Sequence, residues 1–535
     1  MTIHASLGPL GPAVHEALAR LRTEHFAERL WNRDGTLWSS DPTVARECER
    51  WLGWLDVPDL MATLLGEFDA ARREMGRRYD RVVLFGMGGS SLCPDVLRHT
   101  FGRVEGSPEL TVLDTTCPLV IEKLAAELDL ARTLFLVASK SGGTLETLSH
   151  YRYFFERVRE AGVESGSRNF IAITDEGSGL HEESQAKDFG HAFLNPADIG
   201  GRYSALSYFG MVPAALMGLD VAVLLQRARA MARECRGEDP EHNPGLDLGA
   251  VLGAAATHGR DKVTIACSPG IATLGMWLEQ LLAESTGKEG KGIIPVEGEP
   301  LLSPSAYGDD RLFVDVRVAG DTANEAALAA LRDAGQPVVT IEVADSLDLA
   351  GEFMRWEVAT AVAGALLGIN PFDQPNVQES KDNTKAVLAS WTDAGGGARE
   401  PEGTGGGDVM AQLQPGDYLA VLAYTEPGDA VEAALDRLRH RVMEKHHVAT
   451  TTGYGPRYLH STGQLHKGGP NSGVFLILSD ARGSELPIPE EPFGFKTLFA
   501  AQWVGDLKSL RDHGRRVSRV PLHDDPVATI DELSG

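Results

Sequence analysis

The stretch LFLVASKSGGTLET, residues 134–147, reads as a strand, a tight loop and the start of a helix. Residues 134–137 are apolar, as in a buried strand, and apolar residues recur at helical spacing from Leu145 onwards. The Ser, Gly and Thr residues of the loop 139–144 would offer backbone N–H groups, hydroxyls and the positive end of a helix dipole, which suits a phosphate. An ordinary capped turn can have the same composition, so this loop alone leaves both interpretations open.

A second loop of this kind, GMGGSS at 86–91, follows another short apolar strand, RVVLF at 81–85. Its glycines lack the G-x-G-x-x-G spacing of a dinucleotide site, and it lacks the Gly-Lys-Ser/Thr ending of a nucleotide P-loop. Loops that leave the carboxyl edge of one parallel sheet can converge on one small ligand. The two loops therefore favour a small phosphorylated metabolite over a nucleotide.

The chain is strongly acidic. Among its 535 residues, 50 Lys and Arg oppose 76 Asp and Glu, which gives a formal net charge of −26. Such a field repels nucleic acids and anionic membranes, and we exclude both as general partners. It also repels a sugar phosphate, so a phosphate site needs local groups such as loop amides, Lys140 and Arg202.

The cysteines and the apolar runs indicate the compartment. The five cysteines are scattered and form no C-x-x-C pair, which favours neither a disulfide framework nor a zinc site. No apolar run is long enough to cross a bilayer, and the first residues, MTIHASLGPLGP, lack the pattern of a leader. We therefore expect a cytoplasmic protein.

Strand and helix patterns alternate along most of the chain, which predicts an α/β protein with doubly wound parallel sheets. Strands are predicted at 81–85, 110–114, 133–138, 169–174, 262–267, 312–318, 337–342, 418–424, 473–478 and 516–520. The corresponding divisions are a helical N-terminal arm (1–60), a first α/β domain (61–240), a second α/β domain (241–392), a Gly-rich linker (393–416) and a smaller C-terminal α/β unit (417–535).

Two segments bring a charged residue to a glycine-rich turn. Arg202 follows Gly200 and Gly201, which let the backbone approach a ligand closely, and it would supply a fixed cation. Glu284 ends an apolar-periodic helix, where a carboxylate can act as a general base. Each segment is also compatible with an ordinary helix end. The arginine would then lie at the surface, and the more common arrangement for Glu284 is a pair with Lys288 at i,i+4.

Two later segments add candidate proton carriers. Lys381 lies on the first turns of a helix that follows FDQPNVQES (372–380), although a capped helix with an exposed lysine has the same pattern. His460 and His466 occupy the polar loop YLHSTGQLHKGGPN (458–471), and histidine titrates near neutral pH. Their spacing is not a metal-ligand pattern, because no third ligand lies close in the sequence. A surface histidine is the common alternative.

Together these segments resemble the glucose-6-phosphate isomerase family. The matching motifs follow one another in the family's order and are FGMGGSSL (85–92), SKSGGTLET (139–147), GGRYSALSYFG (200–210), AESTGK (283–288) and NPFDQPNVQESK (370–381). GYGPRYLHSTGQLHKGGPN (453–471), with LWSSDP and WLGWLDVP near the start, resembles the isomerase half of transaldolase–isomerase fusions. The resemblance implies two tandem SIS (sugar isomerase) domains and a homodimer.

The resemblance also implies roles for individual residues. Those implied to bind the sugar phosphate lie in three loops and are Gly89, Ser90, Ser139, Lys140, Ser141, Thr144 and Gly201. Glu284 is implied to move a proton between C1 and C2, beside Arg202 as the cation that stabilises the enediolate. Lys381 is implied to open the sugar ring together with a histidine.

The histidine is where this chain departs from the family. The family has it between the catalytic Glu and the Phe-Asp-Gln element, but residues 285–380 contain none. We expect His460, because His460-x-x-x-Gln464-Leu465-His466 is similar to a family pattern, with His466 as the alternative and as a further substrate-binding residue. Gly142-Gly143 is a second departure, which would leave the phosphate more to backbone amides.

The sequence therefore predicts an aldose–ketose isomerase that interconverts glucose 6-phosphate and fructose 6-phosphate through a cis-enediolate, with no metal and no cofactor. Two alternatives stay open: a dual enzyme that also accepts mannose 6-phosphate, and a non-catalytic SIS-type sensor of sugar phosphates. A sensor would need only the phosphate loops, so the motifs that contain Glu284, Arg202 and Lys381 argue against it.

Overall fold

Three sheets of five, five and four strands organise the chain. The computed structural model describes residues 2–393 and 409–533, so residues 394–408 of the predicted linker lie outside the described part. The strands are β1 (Thr2–Ser6), β2 (Arg81–Phe85), β3 (Glu109–Leu113), β4 (Thr133–Ala138), β5 (Phe170–Asp175), β6 (His191–Asn195), β7 (Lys262–Cys267), β8 (Ile294–Glu297), β9 (Arg311–Val318), β10 (Val338–Val343), β11 (Tyr418–Tyr424), β12 (Ala449–Tyr454), β13 (Gly473–Asp480) and β14 (Arg516–Leu522).

The first sheet is fully parallel, in the order β3-β2-β4-β5-β6. Strands β2 to β5 lie within a residue of their predicted positions, and every residue of β4 is buried, as its apolar run requires. Because β2 and β4 are neighbours, with Phe85 opposite Val137, the two Ser/Gly loops leave the same sheet edge side by side. Strand β6 was not predicted, because this edge strand, HAFLN, has no continuous apolar run.

The second sheet has the order β1-β10-β9-β7-β8. Strands β7 to β10 are parallel, and β1 adds an antiparallel edge beside β10. Neither edge strand was predicted: β1 lies in the arm that was expected to be helical, and β8 is only four residues long and contains Pro295.

The third sheet, in the order β12-β11-β13-β14, is again parallel. One of its faces packs against the helices at 429–446 and 526–533. The other packs against the helix at 495–512 and reaches Ala283 and Val296 of the preceding part of the chain. The C-terminal unit therefore lies against the rest of the molecule.

Helices cover both faces of the sheets, so the fold is the predicted α/β class with doubly wound parallel sheets. The helices are α1 (Gly11–Thr23), α2 (Phe26–Trp31), α3 (Pro42–Arg50), α4 (Val57–Thr63), α5 (Leu65–Met75), α6 (Leu92–Phe101), α7 (Pro118–Glu127), α8 (Leu145–Glu160), α9 (Gly179–Ala186), α10 (Tyr208–Leu216), α11 (Val221–Glu234), α12 (Pro244–Thr257), α13 (Leu274–Thr286), α14 (Glu325–Asp333), α15 (Leu349–Leu367), α16 (Pro375–Asp393), α17 (Asp429–His446), α18 (Gly463–Gly468), α19 (Phe495–Asp512) and α20 (Pro526–Leu533). Among these described helices, none combines the length and the apolar composition that a membrane span requires.

Candidate active site

One cleft collects most of the predicted site residues. The loop after β2, the loop after β4 and the turn at 200–202 line one part of it. The end of α13, the start of α16 and the segment around His460 line the rest. The predicted residues that line it are Gly89, Ser90, Lys140, Ser141, Thr144, Gly201, Arg202, Glu284, Lys381 and His460.

The loop between β4 and α8 directs two hydroxyl residues, Ser141 and Thr144, at the cleft. Ser139 is buried, and its Oγ lies 3.0 Å from Thr144 Oγ1, so it braces the residue that faces the cleft. Gly142 has φ +66°, and a Cβ there would lie 2.7 Å from the backbone nitrogen of Leu180. The turn therefore requires glycine at 142, whereas a Cβ at Gly143 would meet open space.

Lys140 lines the cleft, but its charge is already engaged. Its Nζ forms an ion pair with Asp175, at the end of β5, and donates to the carbonyl oxygen of Ala197 at 3.1 Å. Burial raises the pKa of Asp175, against the influence of Lys140. The sequence predicts Lys140 as a local cation for a phosphate; in this structure a carboxylate offsets most of that charge.

The Gly-rich loop after β2 makes two close backbone contacts. A Cβ at Gly89 would lie 2.0 Å from the carbonyl oxygen of Gly201, so the first Gly loop and the 200–202 turn touch directly. Gly88 has φ +55°, and a Cβ there would lie 2.6 Å from the carbonyl oxygen of His460. These glycines allow three separate segments of the chain to meet at the cleft.

Arg202 is only 2% exposed, unlike the surface arginine that the sequence left open. Its guanidinium donates to Ser285 Oγ at 2.8 Å and to Gln374 Oε1 at 2.9 Å. It also donates to the carbonyl oxygens of Pro371 and Asp373, at 2.6 and 2.9 Å. This planar fork is held in one orientation and joins the 200–202 turn to the segment that precedes α16.

Glu284, on the last turn of α13, points at Arg202. Its Oε1 lies 3.5 Å from Arg202 Nη1, and its Oε2 accepts a hydrogen bond of 3.0 Å from Gln280 Nε2. The more common arrangement, an i,i+4 pair of Glu284 with Lys288, is not formed. Lys288 turns instead toward Asp373, 2.7 Å away, and its burial, reinforced by the nearby Arg202, lowers the pKa of Lys288 to about 8.

His460 enters the cleft from the C-terminal unit. Its Nε2 lies 3.1 Å from Oε1 of Glu146, which is in the first turn of α8, directly after the loop 139–144 (the Ser/Thr loop). Burial alone would raise the pKa of Glu146, but His460, with a smaller effect of Lys381, lowers it to about 2. Glu146 is therefore ionised beside the imidazole. The exposed Lys381, on the second turn of α16, lines the cleft next to His460.

His466 lies away from the cleft, which corrects its prediction as a substrate-binding residue. It is 2% exposed, and its ring packs against Tyr458 and Phe475, with centroids 5.9 and 5.0 Å away. Burial lowers the pKa of His466 well below its usual value. The five residues between the two histidines cross from the cleft into the core of the C-terminal unit, so of the two only His460 reaches the cleft.

Sequence reasoning missed two polar residues of this site. Glu146 was overlooked because an acidic residue in the first turn of a helix ordinarily just complements the helix dipole. Gln280 was overlooked because it lies in an apolar-periodic helix. The i,i+4 spacing of Gln280 and Glu284 places both on one helix face and was the available signal.

The arrangement combines a fixed guanidinium, a carboxylate beside it, an imidazole paired with a second carboxylate, and a hydroxyl-rich loop at a helix N-terminus. A fixed guanidinium can stabilise a developing oxyanion, and a nearby carboxylate can exchange a proton with carbon. The loop and helix N-terminus suit an anionic group of the same ligand.

Comparison with known proteins agrees with this chemistry. Residues 54–293 match the family model described as phosphoglucose isomerase. A glucose-6-phosphate isomerase from Symbiobacterium thermophilum is 29% identical over 440 residues, which cover 72% of this chain and 95% of the relative. One from Rubrobacter xylanophilus is 29% identical over 428 residues, covering 70% of this chain and 95% of the relative.

Two solved structures are similar in fold. A hypothetical protein from Thermus thermophilus superposes with a TM-score of 0.62 at 27% identity, covering 72% of this chain and all of that protein. A glucose-6-phosphate isomerase from Chlamydia trachomatis superposes with a TM-score of 0.52 at 22% identity, covering 68% of this chain and 78% of that one. The family match, the curated relatives and the motifs that line one cleft show that this chain is similar to phosphoglucose isomerases over most of its length.

Proposed function

We propose that this chain interconverts glucose 6-phosphate and fructose 6-phosphate through a cis-enediolate. One observation carries the proposal: Glu284 and Arg202, 3.5 Å apart, share a single cleft with the Ser/Thr loop, His460 and Lys381. Isomerisation of a sugar phosphate needs a phosphate cradle, a ring-opening acid, a base at C2 and a cation at the developing oxyanion. The cleft offers one candidate for each.

The phosphate binds at the loop between β4 and α8, in this proposal. Ser141 and Thr144 supply hydroxyls, and the free N–H groups at the start of α8 supply further donors and a positive dipole end. Because Lys140 is paired with Asp175, the hydroxyls and amides hold most of the phosphate charge. Gly89, Ser90 and Gly201 shape the wall beside the sugar.

Ring opening is assigned to His460 and Lys381. A proton is delivered to the ring oxygen as the bond between that oxygen and C1 breaks, and a proton leaves the hydroxyl at C1, which gives the open-chain aldehyde. The carboxylate of Glu146, 3.1 Å from His460 Nε2, holds the imidazole in position for this step.

Glu284 then acts as the general base. Its carboxylate takes the proton from C2, which leaves an enediolate with negative charge on the C1 oxygen. A proton then passes from the hydroxyl at C2 to the C1 oxygen, and Glu284 returns its proton to C1 as the carbonyl forms at C2. Arg202 faces the negative charge that develops on oxygen. Since its guanidinium is already fixed by four hydrogen bonds, it need not reorganise during the reaction.

One coupled assay tests the proposal against its alternatives. Fructose 6-phosphate is supplied, and glucose 6-phosphate and mannose 6-phosphate are measured, with and without EDTA. We expect glucose 6-phosphate as the product and the same rate in EDTA. Mannose 6-phosphate as a second product would indicate a dual isomerase. Absence of both products would favour a sugar-phosphate sensor, and a loss of activity in EDTA would contradict a metal-independent mechanism.

We also infer a cytoplasmic enzyme that forms a homodimer, the assembly that the resemblance implies. The five cysteines are unpaired, which suits a reducing compartment. Sedimentation at the concentrations of the enzyme assay tests whether two chains form a dimer.

A further inference from the structure

A buried series of hydrogen bonds leads from the C-terminal unit to the proposed ring-opening histidine. Thr116 Oγ1 donates to Gln502 Oε1 at 2.5 Å, and Gln502 Nε2 donates to Glu146 Oε1 at 2.7 Å. The same Glu146 oxygen lies 3.1 Å from His460 Nε2. Thr116, Gln502 and Glu146 are all less than a tenth exposed. The bonds are therefore shielded from competing water, which strengthens each of them.

The order of donors and acceptors in this series is fixed. An ionised carboxylate can only accept, so the amide of Gln502 must present its NH₂ group to Glu146. The amide oxygen then faces Thr116, whose hydroxyl donates to it. A flipped amide would place its oxygen against the carboxylate and lose that bond, whereas the Thr116 hydroxyl could pair with either end of the amide. The carboxylate therefore selects the orientation of Gln502, and Thr116 holds the amide oxygen in that orientation.

Helix α19 holds the histidine from a second direction as well. One turn after Gln502, Asp506 accepts a hydrogen bond of 2.6 Å from the hydroxyl of Tyr458 and lies 2.6 Å from Lys467 Nζ. Tyr458 is two residues from His460, so one face of α19 contacts both the histidine segment and the carboxylate partner of the histidine. Gln502 lines a pocket next to the substrate cleft, together with Glu146, Lys381 and His460, but it is not among the residues that line the cleft itself. Asp506 lines neither of them.

We propose that Gln502 is a positioning residue for ring opening: hydrogen-bonded to Thr116, it holds the Glu146 carboxylate where it pairs with His460. The inference rests on the proposed isomerase function. Gln502 does not touch the sugar in this scheme and acts only through Glu146 and His460. The step it serves is the proton delivery to the ring oxygen, and the proton transfer by Glu284 does not depend on it.

Ring opening can be measured separately from isomerisation. Opening and reclosure of the ring exchange the α and β anomers of glucose 6-phosphate, and this exchange needs no transfer of a carbon-bound proton. In a Glu284→Gln background we expect enzyme-catalysed anomer exchange, measured by NMR exchange spectroscopy, to persist. Adding Gln502→Leu should slow it on the order of tenfold, the loss expected when a hydrogen bond to a charged group is removed.

The pH profile of anomer exchange gives a readout that a general loss of structure would not produce. The titratable groups that face Glu146 are His460, Lys381, His150 and Tyr424. Burial lowers the pKa of His150 to about 4 and raises that of Tyr424 well above its usual value, so both stay neutral between about pH 6 and pH 9. With Gln502→Leu, we expect the low-pH limb of the profile to move to higher pH, since a carboxylate displaced from His460 loses the contact that keeps the pKa of Glu146 low.

Two substitutions of Thr116 form a matched pair of variants in which Gln502 itself is unchanged. Thr116→Val has nearly the same shape without the hydroxyl and should reproduce both the slower exchange and the shifted limb. Thr116→Ser keeps the hydroxyl and should restore both toward the unsubstituted background. Equal behaviour of the two variants would overturn the inference, and it can be tested even if Gln502→Leu fails to fold.

A double substitution separates positioning from a structural role. If Gln502 acts only through His460, Gln502→Leu should add no further loss of isomerisation in a His460→Asn background. An additional loss there would overturn the inference, as would unchanged anomer exchange in all the 116 and 502 variants of an active enzyme. A wild-type protein that forms neither product nor anomer exchange would instead refute the proposed function itself.

Discussion

The side-chain amide of Gln280 donates a hydrogen bond of 2.8 Å to the carbonyl oxygen of His460. The same nitrogen lies 3.0 Å from Glu284 Oε2. One side-chain amide therefore links helix α13, which carries the proposed base, to the C-terminal unit, which carries the proposed ring-opening histidine. Two groups that are distant in the sequence can thus act on one small sugar.

Replacing the proposed base should remove turnover and spare binding. For Glu284→Gln we expect isomerisation to fall by about 10³-fold, within the range of general base catalysis. Affinity for glucitol 6-phosphate, which has no carbonyl to isomerise, should stay nearly the same in calorimetry. The matched control is Glu279→Gln on the same helix, which should retain turnover. Comparable losses in both variants would contradict the assignment.

Glu279 itself should make stability depend on pH. Burial, together with the nearby Glu297, raises the pKa of Glu279 to about 8. The folded protein then keeps a proton that the unfolded chain releases near pH 4.5, so the free energy of unfolding should fall as pH rises from about 5 to 8. Glu279→Gln removes this slope, and its stabilising effect should grow as pH rises to 8.5, by ~1.4 kcal/mol for each unit of the pKa shift. Urea unfolding at pH 5.5 and 8.5 measures it; an equal effect at both values would refute the prediction.

The two glycines of the Ser/Thr loop should respond differently to alanine. Gly142→Ala puts a side chain at φ +66° and brings a Cβ to 2.7 Å from a backbone nitrogen, which we expect to cost about 1–2 kcal/mol in stability. The distorted loop should also raise KM for fructose 6-phosphate several-fold. Gly143→Ala points into open space and should raise KM less. Thermal unfolding and steady-state kinetics compare the pair, and a larger effect at 143 would contradict the loop geometry.

Substitutions of the two histidines should also differ in their effect on kcat. His460→Asn removes the imidazole that faces the cleft, and we expect kcat to fall by about 10²-fold, as for the loss of an acid catalyst. His466→Phe keeps an aromatic ring between Tyr458 and Phe475, and kcat should change little, although the larger ring can lower stability by about 1–3 kcal/mol. The reverse pattern in kcat would make His466 the functional residue.

The sequence predicts the central strands well because they are continuous apolar runs. β4 is the clearest case, with six buried residues before the Ser/Gly loop. The missed strands β1, β6, β8 and β12 carry weaker local signals. ATTTGY of β12 is mostly polar, and pairing with β11 stabilises it as a strand. Such strands depend on neighbours that are distant in the sequence, so local patterns cannot reveal them.

The residues of the candidate site also differ in how far the local sequence predicts them. Ser141, Thr144, Arg202 and Glu284 sit in local motifs whose chemistry can be recognised, and the structure brings them to one cleft. The partners that tune them are not local. Lys140 is paired with a carboxylate from the next strand, and His460 contacts a glutamate 314 residues earlier. These contacts are decided by how the sheets pack, for which the sequence pattern contains no signal.

The long separation between Glu146 and its partners His460 and Gln502 has a consequence for synthesis. The parts of the chain that contain the two Ser/Gly loops and Glu284 leave the ribosome well before the residues that complete the cleft. A nascent chain interrupted before β11 contains the proposed phosphate cradle and the proposed base but lacks the proposed ring-opening histidine. Catalysis can therefore begin only when almost the whole chain has emerged, so a cell that aborts translation late releases fragments that are unable to turn over sugar phosphates.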